Sequence, residues 1–176
     1  MRLTFVCLAL SLGTAAAAGC GGGGQSLDAQ SYAADVCSLA LSWNRASGQI
    51  KGFENGSVDQ AAAAQSVVDA QSETVSFVST IRALEEPTEA TGKTAYASLQ
   101  ETADSLTEHS QAIRAEGGKL ALGDQTAEEA AAAVQPQIDL ILDDLRQSVT
   151  QLDVIAVDAD LTAIVRADQS CQALGL

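Results

Sequence analysis

Histidine occurs once in this chain, at position 109, and tryptophan once, at position 43. A single imidazole excludes several helical chemistries at once. Di-iron carboxylate bundles need two Glu-x-x-His motifs, which one histidine cannot supply. No G-x-S-x-G elbow is present either, so a Ser-His-Asp hydrolase has no starting point. His109 follows Leu106 by three residues and precedes Ile113 by four, at the flank of an apolar face. The expectation there is a half-buried histidine with one hydrogen bond. No CxxC pair offers a redox or zinc site. The glycines at 21–24 follow no strand and lack the Gly-Lys-Ser/Thr of a phosphate loop.

Positive charge is scarce as well. The chain has 9 Lys and Arg against 23 Asp and Glu, a net charge of −14. Such a surface repels nucleic acid and anionic bilayers alike. Aromatic residues are only 3% of the chain, so the core is expected to be aliphatic, alanine-rich and tightly spaced. Carboxylates cluster at Glu85-Glu86-Glu89, Glu128-Glu129, Asp143-Asp144 and Asp153…Asp158-Ala159-Asp160. The last cluster lacks the central glycine and terminal glutamate of an EF-hand loop. A solvated acidic surface is the expectation, with weak cation binding near Asp158 and Asp160 as the alternative. No catalytic residue, cofactor or metal site is expected.

Long apolar runs are missing. The one candidate, residues 3–12, is shorter than the roughly 20 residues a membrane span needs. It stands behind Arg2 and before a series of small residues, the layout of a secretory leader over residues 1–19. The sequence Ala17-Ala18-Gly19-Cys20 resembles the lipobox of bacterial lipoproteins, with Ala17 where Leu is usual. That resemblance implies cleavage before Cys20 and acyl chains on it. Acyl chains contribute about 0.8 kcal/mol per buried CH2, and two or more make anchoring stable. Residues 20–27 then form a glycine-rich spacer, and 28–176 the folded domain. The alternative is an ordinary secretory signal with an incidental Cys20.

Cys7 leaves with the leader and Cys20 is taken by lipid. Cys37 and Cys171 remain, an even pair in a compartment where disulfides persist. They are expected to be bonded; the alternative is two buried thiols.

The apolar spacing is helical nearly throughout. Tyr32, Val36, Leu39, Trp43, Ala46 and Ile50 mark a first helix, with a stop expected at Gly48 and Gly52 and a turn at Asn55-Gly56. Ser57 with Gln60 has the form of a capping box. The second helix is expected to bury Val58, Ala61, Ala64, Val68, Val75, Val78 and Ile81, flanked by Phe77 and Leu84, and to close before Pro87. The third carries Tyr96, Leu99, Ala103, Leu106 and Ile113 and is expected to end at Gly117-Gly118. A second capping box, Thr126 with Glu129, opens a fourth along Ala130, Val134, Ile138, Ile141, Leu145, Val149 and Leu152. Pro136 within it predicts a kink or a division. Asp158 or Asp160 caps a last short segment with Leu161, Ile164, Val165, Cys171 and Leu174. These elements predict an all-α, antiparallel up-down-up-down four-helix bundle with a short C-terminal helix tied back by the disulfide. Alanine in the seams argues against a large internal cavity. Trp43, Tyr32, Tyr96 and His109 are the candidates for lining a ligand pocket, although aromatics at helical spacing are usually core.

The lipobox, Val36-Cys37-Ser38-Leu39 followed by Trp43, and the closing Cys171-Gln172-Ala173-Leu174 are similar to the small alanine-rich lipoproteins of actinobacteria. The resemblance implies an anchored, exported helical domain of unknown function, with no catalytic residues to transfer. Two functions are compatible with these features. One is a non-enzymatic envelope lipoprotein, anchored at the outer face of the cell membrane through Cys20 and acting on a protein partner or the wall. The other is a bundle that binds or senses a small or lipidic molecule.

Overall fold

The computed structural model describes residues 28–155 and 160–175. The leader, Cys20, the spacer and Asp158 lie outside the described residues. Four long helices, α1 (Ala29–Glu54), α2 (Gln60–Arg82), α3 (Ala90–Leu122) and α4 (Ala127–Ile155), pack as a bundle. A short α5 (Leu161–Ala167) and a 3-10 turn (Gln169–Leu174) follow. No strand occurs among the described residues. None of their helices is long and apolar enough to cross a membrane.

Each long helix packs against the next in sequence, and α4 closes the ring against α1. Short turns at 55–59, 83–89 and 123–126 make the helices antiparallel. One end of the bundle therefore holds the start of α1, and the opposite, distal end gathers four termini. These are the C-terminal turns of α1 and α3 and the N-terminal turns of α2 and α4. The 26 residues of α1 separate the two ends by about 39 Å.

The core runs the length of the bundle. Trp43, Leu39, Leu99, Leu106, Ile138, Ile141 and Leu145 are fully buried. The α1 seam is as expected, with Tyr32, Val36, Leu39, Trp43 and Ala46 buried. The α2 seam is not. Ala63, Ala70, Thr74, Phe77, Val78 and Ile81 face inward, while Val68 and Val75 are 55% and 69% exposed. Ala61 and Ala64 are exposed too. The inner face is fixed by Phe77 against Tyr32, ring centroids 5.1 Å apart, and by Thr74, whose hydroxyl accepts the Trp43 indole N–H.

Helix ends also differ from the glycine-based reading. Gly48 and Gly52 lie inside α1, which runs on to Glu54. Gly52 meets a steric rather than a conformational demand, because a Cβ there would collide with the Val58 side chain. Its carbonyl accepts from the Ser57 and Val58 amides at 2.8 and 3.0 Å. Ser57 is thus used in closing α1, and Asp59 caps α2 in its place, accepting from the Ala62 amide at 2.8 Å. Likewise α3 passes through Gly117-Gly118 and stops at Gly123, whose φ of +78° provides the left-handed exit.

Thr126 and Glu129 form the expected capping box: the Thr126 amide donates to Glu129 Oε2 at 2.8 Å, and the Glu129 amide to Thr126 Oγ1 at 3.2 Å. Beyond it α4 is one helix from Ala127 to Ile155, so Pro136 does not divide it. Asp160 caps α5, accepting from the Ala163 amide at 2.8 Å.

Leu161, Val165 and Leu174 bury the terminal segment against α1 and α4. The Asp153 carboxylate accepts from the Thr162 amide and hydroxyl, and Arg146 Nε donates to the Leu174 carbonyl. The Cys37–Cys171 disulfide is present, spanning 134 residues of sequence with Cα atoms 4.6 Å apart.

Candidate functional site

Helix ends in a bundle diverge slightly, and side-chain volume has to fill the gap. At the distal end that volume is small. Ala63 and Ala64 of α2, Gly117 and Ala121 of α3, and Ala130 and Ala131 of α4 stand where larger residues fill the middle of the bundle. The outcome is an apolar cleft of about 420 Å³, open to solvent on one side. Phe53 and Ile50 of α1, Val67 and Val68 of α2, and Ile113 and Val134 line the remainder. The volume lies within the range of small-molecule sites, roughly 300–1,000 Å³. Gln60, Gln71 and Arg114 are the polar side chains on its wall. Gln71 is held in place, its Nε2 donating to the Ser110 carbonyl across the α2–α3 joint at 2.8 Å.

A second, more polar depression of about 370 Å³ runs along α2 and α3. It shares Gln71 and Arg114 with the cleft and continues past Thr74, Ser79, Thr107 and Gln111 to Arg82. The Arg82 guanidinium is paired with Asp104 at 2.9 Å. No acidic residue lines either depression. That is a marked local inversion in a chain with 23 acidic and 9 basic residues.

The four residues read as pocket candidates are not brought together, and none lines the cleft. Trp43 and Tyr32 are core residues. The Tyr32 hydroxyl sits beside Ser148 but makes no hydrogen bond of good geometry, and burial pushes its phenol well above the usual value. Tyr96 is half-buried near the start of α3 and donates to the Leu84 carbonyl at 3.2 Å.

His109 lies between α3 and α4, its Nδ1 2.9 Å from Gln137 Oε1 and its Nε2 3.8 Å from Asp144 Oδ2. Burial raises the Asp144 carboxyl above its ordinary value, partly offset by Ser105 and by the His109 charge. Asp144 Oδ2 accepts no hydrogen bond of good geometry. Imidazole, carboxylate and amide here join two helices; they open onto neither depression.

Among the described residues no group of three or more His, Cys, Asp or Glu side chains is placed to hold a metal ion. Asp160 is engaged as a helix cap.

Sequence reasoning missed the cleft because it is made by missing volume. Seam alanines predict close helix approach, and Ala40, Ala70 and Ala103 are indeed fully buried. A signal did exist: the alanine runs at 61–64 and 130–133 and the Gly117-Gly118 pair all fall at one end in an antiparallel arrangement.

Comparison with known proteins returns no match: no family model, no curated protein and no solved structure is similar to this chain.

Proposed function

We propose that this protein is a non-enzymatic binding module of the bacterial envelope, held at the outer face of the membrane by lipid on Cys20, and that its bundle takes up an apolar small molecule. The observation that carries this reading is the cleft. The bundle leaves about 420 Å³ of apolar space at one end, where a solvent-exposed gap has no role in stability. The polar residues on its wall are few, the usual composition of a site that binds through burial and orients through one or two contacts.

The anchor and the cleft are compatible in direction. Asp28 caps the start of α1 at one end of the bundle, and the cleft lies toward the other end, the two ends being about 39 Å apart. A chain tethered through its N-terminus would hold the cleft away from the bilayer, open to molecules in the wall space. The absence of catalysis is supported by chemistry at the site: glutamine amides, an arginine and aliphatic side chains supply neither nucleophile nor general base.

The neutral dye N-phenyl-1-naphthylamine tests the reading, since its fluorescence rises on entering an apolar site. The expected result is saturable binding of one dye per chain, abolished in Gly117→Leu. Gly117 lines the cleft and a Cβ there meets no atom within 4 Å, so a leucine at this position adds apolar bulk at the cleft wall without a backbone clash. Binding that does not saturate, or that Gly117→Leu leaves intact, overturns it. Trp43 does not line the cleft, so an added dye is the better reporter.

A protein partner is the second reading, favoured by the apolar side chains of Val75 and Leu122, 69% and 79% exposed. Crosslinking on intact cells tests it, and loss of a crosslinked species in Val75→Ser is the expected outcome.

A further inference from the structure

We infer that the ligand is a single-chain amphiphile with an anionic head group, its aliphatic chain in the cleft and its head held by Arg114; this rests on the ligand-binding reading above. The two depressions meet at Gln71 and Arg114. On one side the walls are alanine, valine, isoleucine and phenylalanine; on the other, threonine, serine and glutamine stand beside Val75 and Val78. An apolar slot bordered at Arg114 by a more polar groove suits a molecule with one apolar and one polar part.

Charge settles the sign of the polar part. Arg114 and Arg82 are the only charged side chains lining either depression, and both are positive. Arg82 is occupied by Asp104. Arg114 is exposed and forms no hydrogen bond or ion pair among the described residues, so its fork of N–H donors is open. A planar guanidinium matches carboxylate and phosphate oxygens two at a time, which a neutral head group cannot exploit. The surrounding protein is strongly acidic. An anionic ligand is thus repelled almost everywhere on the surface except along this acid-free stretch.

Size limits the chain. If a methylene takes about the volume of a water in the liquid, roughly 30 Å³, the cleft holds on the order of ten carbons. Two acyl chains exceed it. The head group can be carboxylate or phosphate, since Arg114 reads the oxygens they share.

The test uses the mature chain carrying Cys20→Ala, so that no acyl chain of its own competes, with calorimetric titration of dodecanoate, dodecyl phosphate and dodecanol below their aggregation limits. Dodecanoate and dodecyl phosphate should bind one per chain, about tenfold or more tighter than dodecanol. Their relative affinities distinguish a fatty acid from a phosphate-bearing lipid as the source. Arg114→Gln should bring both anions down to the dodecanol value, and Arg114→Lys should restore part of the difference. Arg45→Gln, the same charge change on the exposed face of α1, should leave it intact. Gly117→Leu should abolish all three.

Dodecanol binding as tightly as dodecanoate, or an anion preference that survives Arg114→Gln, overturns the head-group inference and leaves the cleft as an apolar site. Failure of all three compounds together with the neutral dye overturns both readings. Binding of the dye alone overturns the inference about chain amphiphiles. Circular dichroism melts confirm that each variant is folded, which exposed Arg114 and unobstructed Gly117 make the expected result.

Discussion

The indole Nε1 of Trp43 donates to Thr74 Oγ1 at 2.9 Å, where Trp43 is fully buried and Thr74 is 1% exposed. The same hydroxyl donates to the Ala70 carbonyl at 2.8 Å, so one threonine satisfies a buried donor and fixes the rotation of α2 against α1. Thr74→Val keeps the shape and removes the acceptor. Leaving the indole N–H unpaired should cost about 1–3 kcal/mol, measured by chemical denaturation. An unchanged midpoint would mean that the bond does not set the α1–α2 joint.

That threonine also explains why the N-terminal part of the α2 inner face is not legible in the sequence, while Val78 and Ile81 are buried as the spacing predicts. The true α2 seam is Ala63, Val67, Ala70, Thr74, Phe77 and Ile81, while the sequence pattern favours Val68 and Val75. Four consecutive alanines at 61–64 carry no phase information, and a polar residue in a seam is visible only once its partner is known. In α1 and α4, apolar residues recur at three and four without interruption, and both inner faces are legible. Capping followed the same logic. Thr126 and Glu129 have no competing partner, whereas Ser57 is drawn to the Gly52 carbonyl and yields the cap to Asp59.

Glycine gives a paired prediction of opposite sign. Gly118 lies within α3 and has open space at its Cβ position, so Gly118→Ala should stabilise by about 0.5–1 kcal/mol. Gly123 ends the same helix at φ +78°, so Gly123→Ala should destabilise by about 1–2 kcal/mol. Thermal melts of the two single variants check both signs.

Reduction, or Cys171→Ser, opens a loop of 134 residues. Chain entropy sets the loss at up to about 5 kcal/mol. Hydrogen exchange should accelerate first in α5 and the 3-10 turn, which rest on α1 beside the bridge. Intact mass before and after alkylation without reductant checks the bond itself; two alkylated thiols would rule it out.

Asp144 should make the protein less stable at neutral pH than an asparagine in its place. Burial raises its folded-state value above the ordinary 3.8, so the ionised form weakens the fold. The penalty is absent below the unfolded value, enters as pH rises between the two, and is complete above the folded one. Asp144→Asn should therefore gain stability at pH 7, and the gain should fade as the pH falls through the folded value and below the ordinary 3.8. A loss at pH 7 would mean that the contacts with Ser105 and His109 outweigh burial.

Anchoring is tested at Cys20. On the proposed reading Cys20→Ala should shift the protein from the membrane fraction to the medium or block its maturation. Equal detergent partitioning of variant and wild type would remove lipid as the anchor.

The disulfide joins position 37 to position 171, and all three turns between the long helices fall inside that interval. A peptidase that nicks the chain at 55–59, 83–89 or 123–126 would produce two fragments that remain one molecule. The downstream fragment would stay fastened to whatever holds the N-terminus until a reductant reached the bridge. The bond therefore does more than staple a fold: it makes surface cleavage at these turns a silent event, detectable as two bands only on a reducing gel.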